Sequence, residues 1–184
     1  MIYVGDYDTR TIAIIDATTN KVISDTIELE YPPETITVNP TTNMIYAAGQ
    51  KDYGRNIISV IDATTNTISD TIELENYSPG IMSVNPTTNM VYVGDNYNQF
   101  LYINATINKI IHLGTKYSPE YSPKAITVNP TTNMIYAADY DNNTISVLNG
   151  TTNKVISDTI ELEYPLEIMV VNPTTNMIYA AGGY

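Results

Sequence analysis

Two clusters of oxygen-bearing side chains are the first candidates for chemistry, Asp6-Tyr7-Asp8 and Asp139-Tyr140-Asp141-Asn142-Asn143. Carboxylates and amides this close along a chain are ligands that a hard cation such as Ca²⁺ accepts. Neither cluster fits the helix-loop-helix calcium loop, and Asp and Asn are also the ordinary residues of tight turns. Calcium binding and plain turn chemistry therefore both stand, and no cofactor is expected. Tyr53, Asp95 and Tyr97 occupy the matching stretches between the two clusters. The candidate binding residues are thus Asp6, Tyr7, Asp8, Tyr53, Asp95, Tyr97, Asp139, Tyr140 and Asp141. Exposed tyrosine offers area with a polar tip, which suits a protein or glycan partner. Packing of tyrosines between neighbouring elements is the alternative reading.

Other chemistry is excluded or poorly supplied. Cysteine is absent, which removes disulfides, thiolate nucleophiles and Cys-based metal sites. The single histidine, His112, has no second histidine with which to form a dyad or a metal site. No Gly-rich phosphate loop or Ser-His-Asp set is present, so no catalytic residue is assigned. A net charge of −12 argues against nucleic acid, which needs a basic footprint. No run approaches the roughly 20 apolar residues of a membrane span, so direct membrane insertion is not expected. The first residues lack the basic and long apolar regions of a signal peptide. Asn76, Asn104, Asn142 and Asn149 lie in Asn-x-Ser/Thr triplets, a number that chance supplies in so Asn-rich a chain.

The elements that position these residues are repeats. Asn-Pro-Thr-Thr-Asn-Met recurs at Asn39, Asn85, Asn129 and Asn172, a period of roughly 44 residues. A second marker, Asp16-Ala17-Thr18-Thr19-Asn20, returns as Asp62 to Asn66, Asn104 to Asn108 and Asn149 to Asn153. Val22 to Tyr31 and Val155 to Tyr164 are identical. The units run 1–43, 44–89, 90–133 and 134–176, with a partial unit at 177–184, in a single domain spanning 1–184.

Each unit reads as four short strands, here a to d, as in Thr35–Val38, Met44–Ala48, Ile57–Ile61 and Thr67–Leu74. They are rich in β-branched and aromatic residues and bounded by turn formers. In Asn39-Pro40-Thr41-Thr42-Asn43, Pro40 pre-sets φ for a turn and Asn43 can take the left-handed conformation. Short a–b and c–d turns make each unit an antiparallel meander. Strands b and c are apolar on both faces, which calls for a neighbouring sheet on each side. Asp25, Glu28, Asp70 and Glu73 mark strand d as the charged outer edge, leaving a inside.

On these residues the chain resembles the YVTN-type β-propeller repeats of archaeal surface-layer proteins. The matching tetrapeptides are Tyr3-Val4-Gly5-Asp6, Tyr46-Ala47-Ala48-Gly49, Tyr92-Val93-Gly94-Asp95, Tyr136-Ala137-Ala138-Asp139 and Tyr179-Ala180-Ala181-Gly182. The fold class expected is all-β: a β-propeller of four-stranded antiparallel blades. About four blades plus extra strands are present, favouring a partial or open propeller over a closed ring. The family's propellers usually close with seven blades, so the repeat number departs from it.

The d–a linkers and b–c loops should share one face, which carries most of the acids. Near-interchangeable blades leave little room for the unlike residues a catalytic site needs. The expected function is a noncatalytic module of a cell-surface or extracellular protein, a location the resemblance implies. It would act as scaffold or as a protein- or glycan-binding adhesion surface. The alternative is a fragment of a propeller enzyme, lactonase-like or quinoprotein-like. Self-association through end blades is a further expectation.

Overall fold

The computed structural model describes the chain except for residues 51–55, 76, 96–99, 112–122, 157–158 and 183–184, and the side chains of 24 and 25. It is all-β, with antiparallel sheets of propeller-blade type and no helix among the described residues. The chain divides into two compact units, Met1–Pro79 and Gly80–Tyr184.

The first unit holds two sheets. A three-stranded sheet runs β1 (Ile2–Asp6), β2 (Thr11–Asp16), β3 (Lys21–Glu28), and a four-stranded sheet runs β4 (Pro33–Asn39), β5 (Met44–Gln50), β6 (Asn56–Asp62), β7 (Thr67–Leu74). The sheets pack face to face. Ile12, Ile14, Ile27 and Leu29 of one meet Ile45, Ala47 and Ile61 of the other, with Tyr3 and Ile36 alongside.

The second unit repeats the plan. One sheet is β8 (Pro79–Asn85), β9 (Met90–Asp95), β10 (Phe100–Asn104) and β11 (Lys109–Ile111). The next is β12 (Pro123–Asn129), β13 (Met134–Asp139) and β14 (Thr144–Asn149), with β15 (Lys154–Val155) and β16 (Ile160–Glu161) both paired to β14. A two-stranded sheet of β17 (Ile168–Asn172) and β18 (Met177–Ala181) follows. Met90, Tyr92, Phe100 and Tyr102 pack on Ile126, Val128, Ile135, Ala137 and Leu148. Ala125, Ala138 and Ile145 pack in turn on Leu166 and Met169.

Burial therefore follows from strand alternation. Strands b and c bury both faces where a sheet lies on each side, as β13 shows, with Ile135 and Ala137 packed on the preceding sheet and Ala138 on the following one. Strand β12 contacts β9 of the preceding sheet and β17 of the following one, the inner placement expected of strand a. Strand β7, by contrast, is exposed over its first five residues, as an outer edge strand should be. The two identical sequence copies share one register, Ile12 opposite Ile27 and Ile145 opposite Ile160.

The turns explain the recurring Asn and Asp. Asn39 Oδ1 accepts from the Thr41 amide at 3.0 Å, and Asn85, Asn129 and Asn172 do the same with Thr87, Thr131 and Thr174, each at 3.0 Å. Asp16, Asp62, Asn104 and Asn149 cap the c–d turns in the same way. Asn43 closes its turn at φ 55°, and among the described residues every other non-glycine residue with positive φ is also Asn, except Arg10. Glycine would satisfy that backbone, yet the Asn43 amide also donates to Thr64 Oγ1 at 3.0 Å. Asn89 and Asn133 make the same bond to Thr106 and Thr151. One asparagine thus shapes the a–b turn and ties it to the c–d turn of the same sheet.

Within the second unit the tie extends from sheet to sheet. Asn85 Nδ2 donates to Asn133 Oδ1 at 2.7 Å, and Asn129 Nδ2 to Asn176 Oδ1 at 3.0 Å. Thr87 and Thr131 hydroxyls donate to the Pro130 and Pro173 carbonyls of the next sheet.

Candidate functional site

The carboxylates proposed as cation ligands sit at the ends of b strands. Asp6 terminates β1, and its Oδ1 accepts from the amides of Asp8 at 2.9 Å and Thr9 at 3.1 Å. Arg10 then takes φ 58° and sends the chain into β2. Asp139 does the same at the end of β13, accepting from Asp141 N at 3.0 Å and Asn142 N at 3.2 Å. Its Oδ2 also accepts from Asn142 Nδ2 at 2.7 Å, and Asn143 closes the turn at φ 54°. These carboxylates are turn caps. The backbone bond from Thr9, foremost, holds the Asp6 carboxyl below its ordinary value of 3.8, and Thr18 and Thr64 do so for Asp16 and Asp62.

Equivalent sequence does not give equivalent exposure. Asp6 is exposed, whereas Asp95 and Asp139 are only 2% and 3% exposed. Tyr7, Asp8 and Asp141 are exposed and Tyr140 is half-buried. Tyr53 and Tyr97 lie outside the described residues, as does His112. Among the described residues, no three His, Cys, Asp or Glu side chains come close enough to hold a metal ion.

The structure does bring Tyr140 together with two residues of other loops. With Lys124 and Glu167 it lines an open depression of about 300 Å³ in the second unit. Lys124 sits where the β12–β13 register slips between Pro123 and Ala125, and the Glu167 amide donates to Ala181 O beside the start of β17. Both occupy one repeat position, five residues before the capping Asn of strand a, where the first two copies carry Glu34 and Gly80. That position changes charge from copy to copy, a signal visible in the sequence but lost among many charged loop residues.

The b-strand tyrosines behave differently. Tyr46 and Tyr92 are fully buried. Tyr92 stacks on Phe100 at 5.9 Å and donates to Asn153 Oδ1 at 2.6 Å, and burial pushes its hydroxyl up to about 12. The buried Tyr46 hydroxyl is also raised and meets no partner among the described residues. Tyr179, at the same repeat position, is 57% exposed.

Solved structures share this arrangement of sheets. Hydrazine synthase of Kuenenia stuttgartiensis superposes with a TM-score of 0.74 at 11% identity, covering 97% of this chain and 67% of that one. A functionally unknown protein of Desulfotomaculum acetoxidans superposes with a TM-score of 0.77 at 14% identity, covering 97% of this chain and 58% of that one. Both likenesses show the fold. The chain spans only part of either neighbour, and at such identity they carry no activity across. No protein-family model matches the chain, and no curated protein matches it in sequence.

Proposed function

We propose that the chain is a noncatalytic, YVTN-type propeller module of a cell-surface or extracellular protein, serving as scaffold and as a protein- or glycan-binding surface. The observation that carries this reading is the use of the repeated polar residues. Asp6, Asp16, Asp62 and Asp139, like the recurring Asn residues, direct their oxygens at backbone amides of their own turns. Repetition serves the architecture, and the exposed Tyr7, Asp8 and Asp141 remain for contact with a partner. The open depression at Tyr140 suits a sugar or side chain laid against a tyrosine ring and hydrogen-bonded by Lys124 and Glu167. A partner class rather than a substrate fits so open a site.

A fragment of a propeller enzyme, lactonase-like or quinoprotein-like, is the alternative reading, and the fold shared with hydrazine synthase is compatible with it without favouring it. A panel of immobilised cell-surface glycans and extracellular-matrix proteins, probed with the purified chain, separates the two. Saturable binding weakened by Tyr140→Ala supports the binding surface. Hydrolysis of a lactone or ester by the chain, with no retention on the panel, contradicts it.

A further inference from the structure

The side chains around the depression in the second unit differ from the capping residues near them, because no turn uses them. Lys124, Tyr140 and Glu167 make no side-chain hydrogen bond or ion pair among the described residues, and Lys124 and Glu167 are exposed. Their backbones, by contrast, are held. The buried Asp139 carboxylate accepts from the Asp141 and Asn142 amides and so fixes the turn that carries Tyr140. Ala125 and Leu166, the direct neighbours of Lys124 and Glu167, pack in one core cluster with Ala138 at the end of the Tyr140 strand. Three unengaged polar side chains therefore stand on a common packed base.

Their chemistry selects a ligand. Along the repeats the charged position reads Glu34, Gly80, Lys124, Glu167, so opposite charges fall on successive copies only at the last pair, with Tyr140 between them in sequence. A lysine ammonium only donates and an ionised carboxylate only accepts. A small ligand that answers both must accept and donate over a short span, which the adjacent hydroxyls of a pyranose do. A carboxylate that met Lys124 would face Glu167, and a guanidinium or ammonium that met Glu167 would face Lys124. The net charge of −12 further disfavours an anionic ligand. The half-buried Tyr140 ring supplies apolar area for the C–H face of a sugar. A volume of about 300 Å³ lies at the small end of ligand sites, enough for one ring.

We propose that the depression binds one uncharged pyranose residue of a glycan. Tyr140 stacks on the apolar face of the ring, Lys124 donates to its hydroxyls and Glu167 accepts from them. This rests on the binding-surface reading above and narrows the partner from protein or glycan to a neutral sugar.

The test is an NMR titration of the whole chain with the methyl glycosides of glucose, galactose, mannose and N-acetylglucosamine, with glucuronate as the charged control. At least one neutral glycoside should saturate, with a Kd on the order of 1 mM, the strength open to so few atoms. Tyr140→Ala, Lys124→Met and Glu167→Gln should each raise that Kd at least about fivefold, as loss of a stacking ring or a charge-assisted bond does. Lys124 and Glu167 are exposed, so their variants should melt like the native chain. Glucuronate should bind more weakly than the glucoside, and Glu167→Gln should narrow the gap. Failure of every neutral glycoside to saturate overturns the proposal, as does tighter binding of glucuronate or binding untouched by Lys124→Met and Glu167→Gln. If the chain then still holds a matrix protein through Tyr140, the binding-surface reading stands without this ligand. If it holds neither, both fall.

Discussion

At the scale of single residues, the capping carboxylates make the fold sensitive to acid. Asp6, Asp16 and Asp62 are held below 3.8 by amide bonds that the unfolded chain lacks. Their contribution is full above that value and is lost as pH falls through the lowered folded values. The melting temperature should therefore fall as pH drops below about 4. Asn104 and Asn149 make the same turn without a titrating group. Asp62→Asn should accordingly keep neutral-pH stability and flatten the acid slope, a change that melting curves across pH would reveal. At the alkaline end the sign reverses, because Tyr92 is raised by burial to about 12. Its contribution is full below pH 10 and fades as pH rises, so the Tyr92 share of the tyrosinate absorbance, read as the difference from Tyr92→Phe, should appear together with unfolding. The positive-φ asparagines were legible from the repeated Pro-Thr-Thr-Asn order, since that order has a turn mechanism. Burial of Asp139 was not legible, because Asp6 carries the same local sequence and is exposed.

At the scale of elements, the blade was readable because strands b and c are apolar on both faces, a pattern only stacked sheets satisfy. The junctions account for the small residues as well. A Cβ on Gly94 would lie 2.7 Å from Pro123 Cγ and 2.9 Å from Ile81 Cγ2. Gly94→Ala should therefore overpack the β9–β12 contact and cost about 1–3 kcal/mol in urea unfolding. Leu148, fully buried where β14 meets the preceding sheet, should cost about 2–5 kcal/mol when cut to Ala. Asp139→Ala should cost about 1–3 kcal/mol, since three donors lose their carboxylate acceptor. The asparagine ties between sheets, such as Asn85 to Asn133, could not be read from sequence. Each asparagine already had a sufficient local reason to be there, and nothing in the order of residues points from one blade to the next.

At the scale of the whole molecule, repetition does two things. It builds the same kind of junction within each unit, Tyr3 with Ile45 and Ala47 in the first and Tyr92 with Ile135 and Ala137 in the second, and it leaves the loops to differ. The grouping of Lys124, Tyr140 and Glu167 depends on loops from successive sheets meeting, which a residue list cannot convey. The central claim is that the repeated carboxylates serve the turns, so the molecule acts through its surfaces. A calcium titration followed by thermal unfolding tests this most directly, with magnesium as the control. The account predicts only a shallow, non-saturating rise that magnesium matches, the screening expected at a net charge of −12. A saturable, calcium-specific rise that is lost in Asp6→Asn or Asp139→Asn would contradict it.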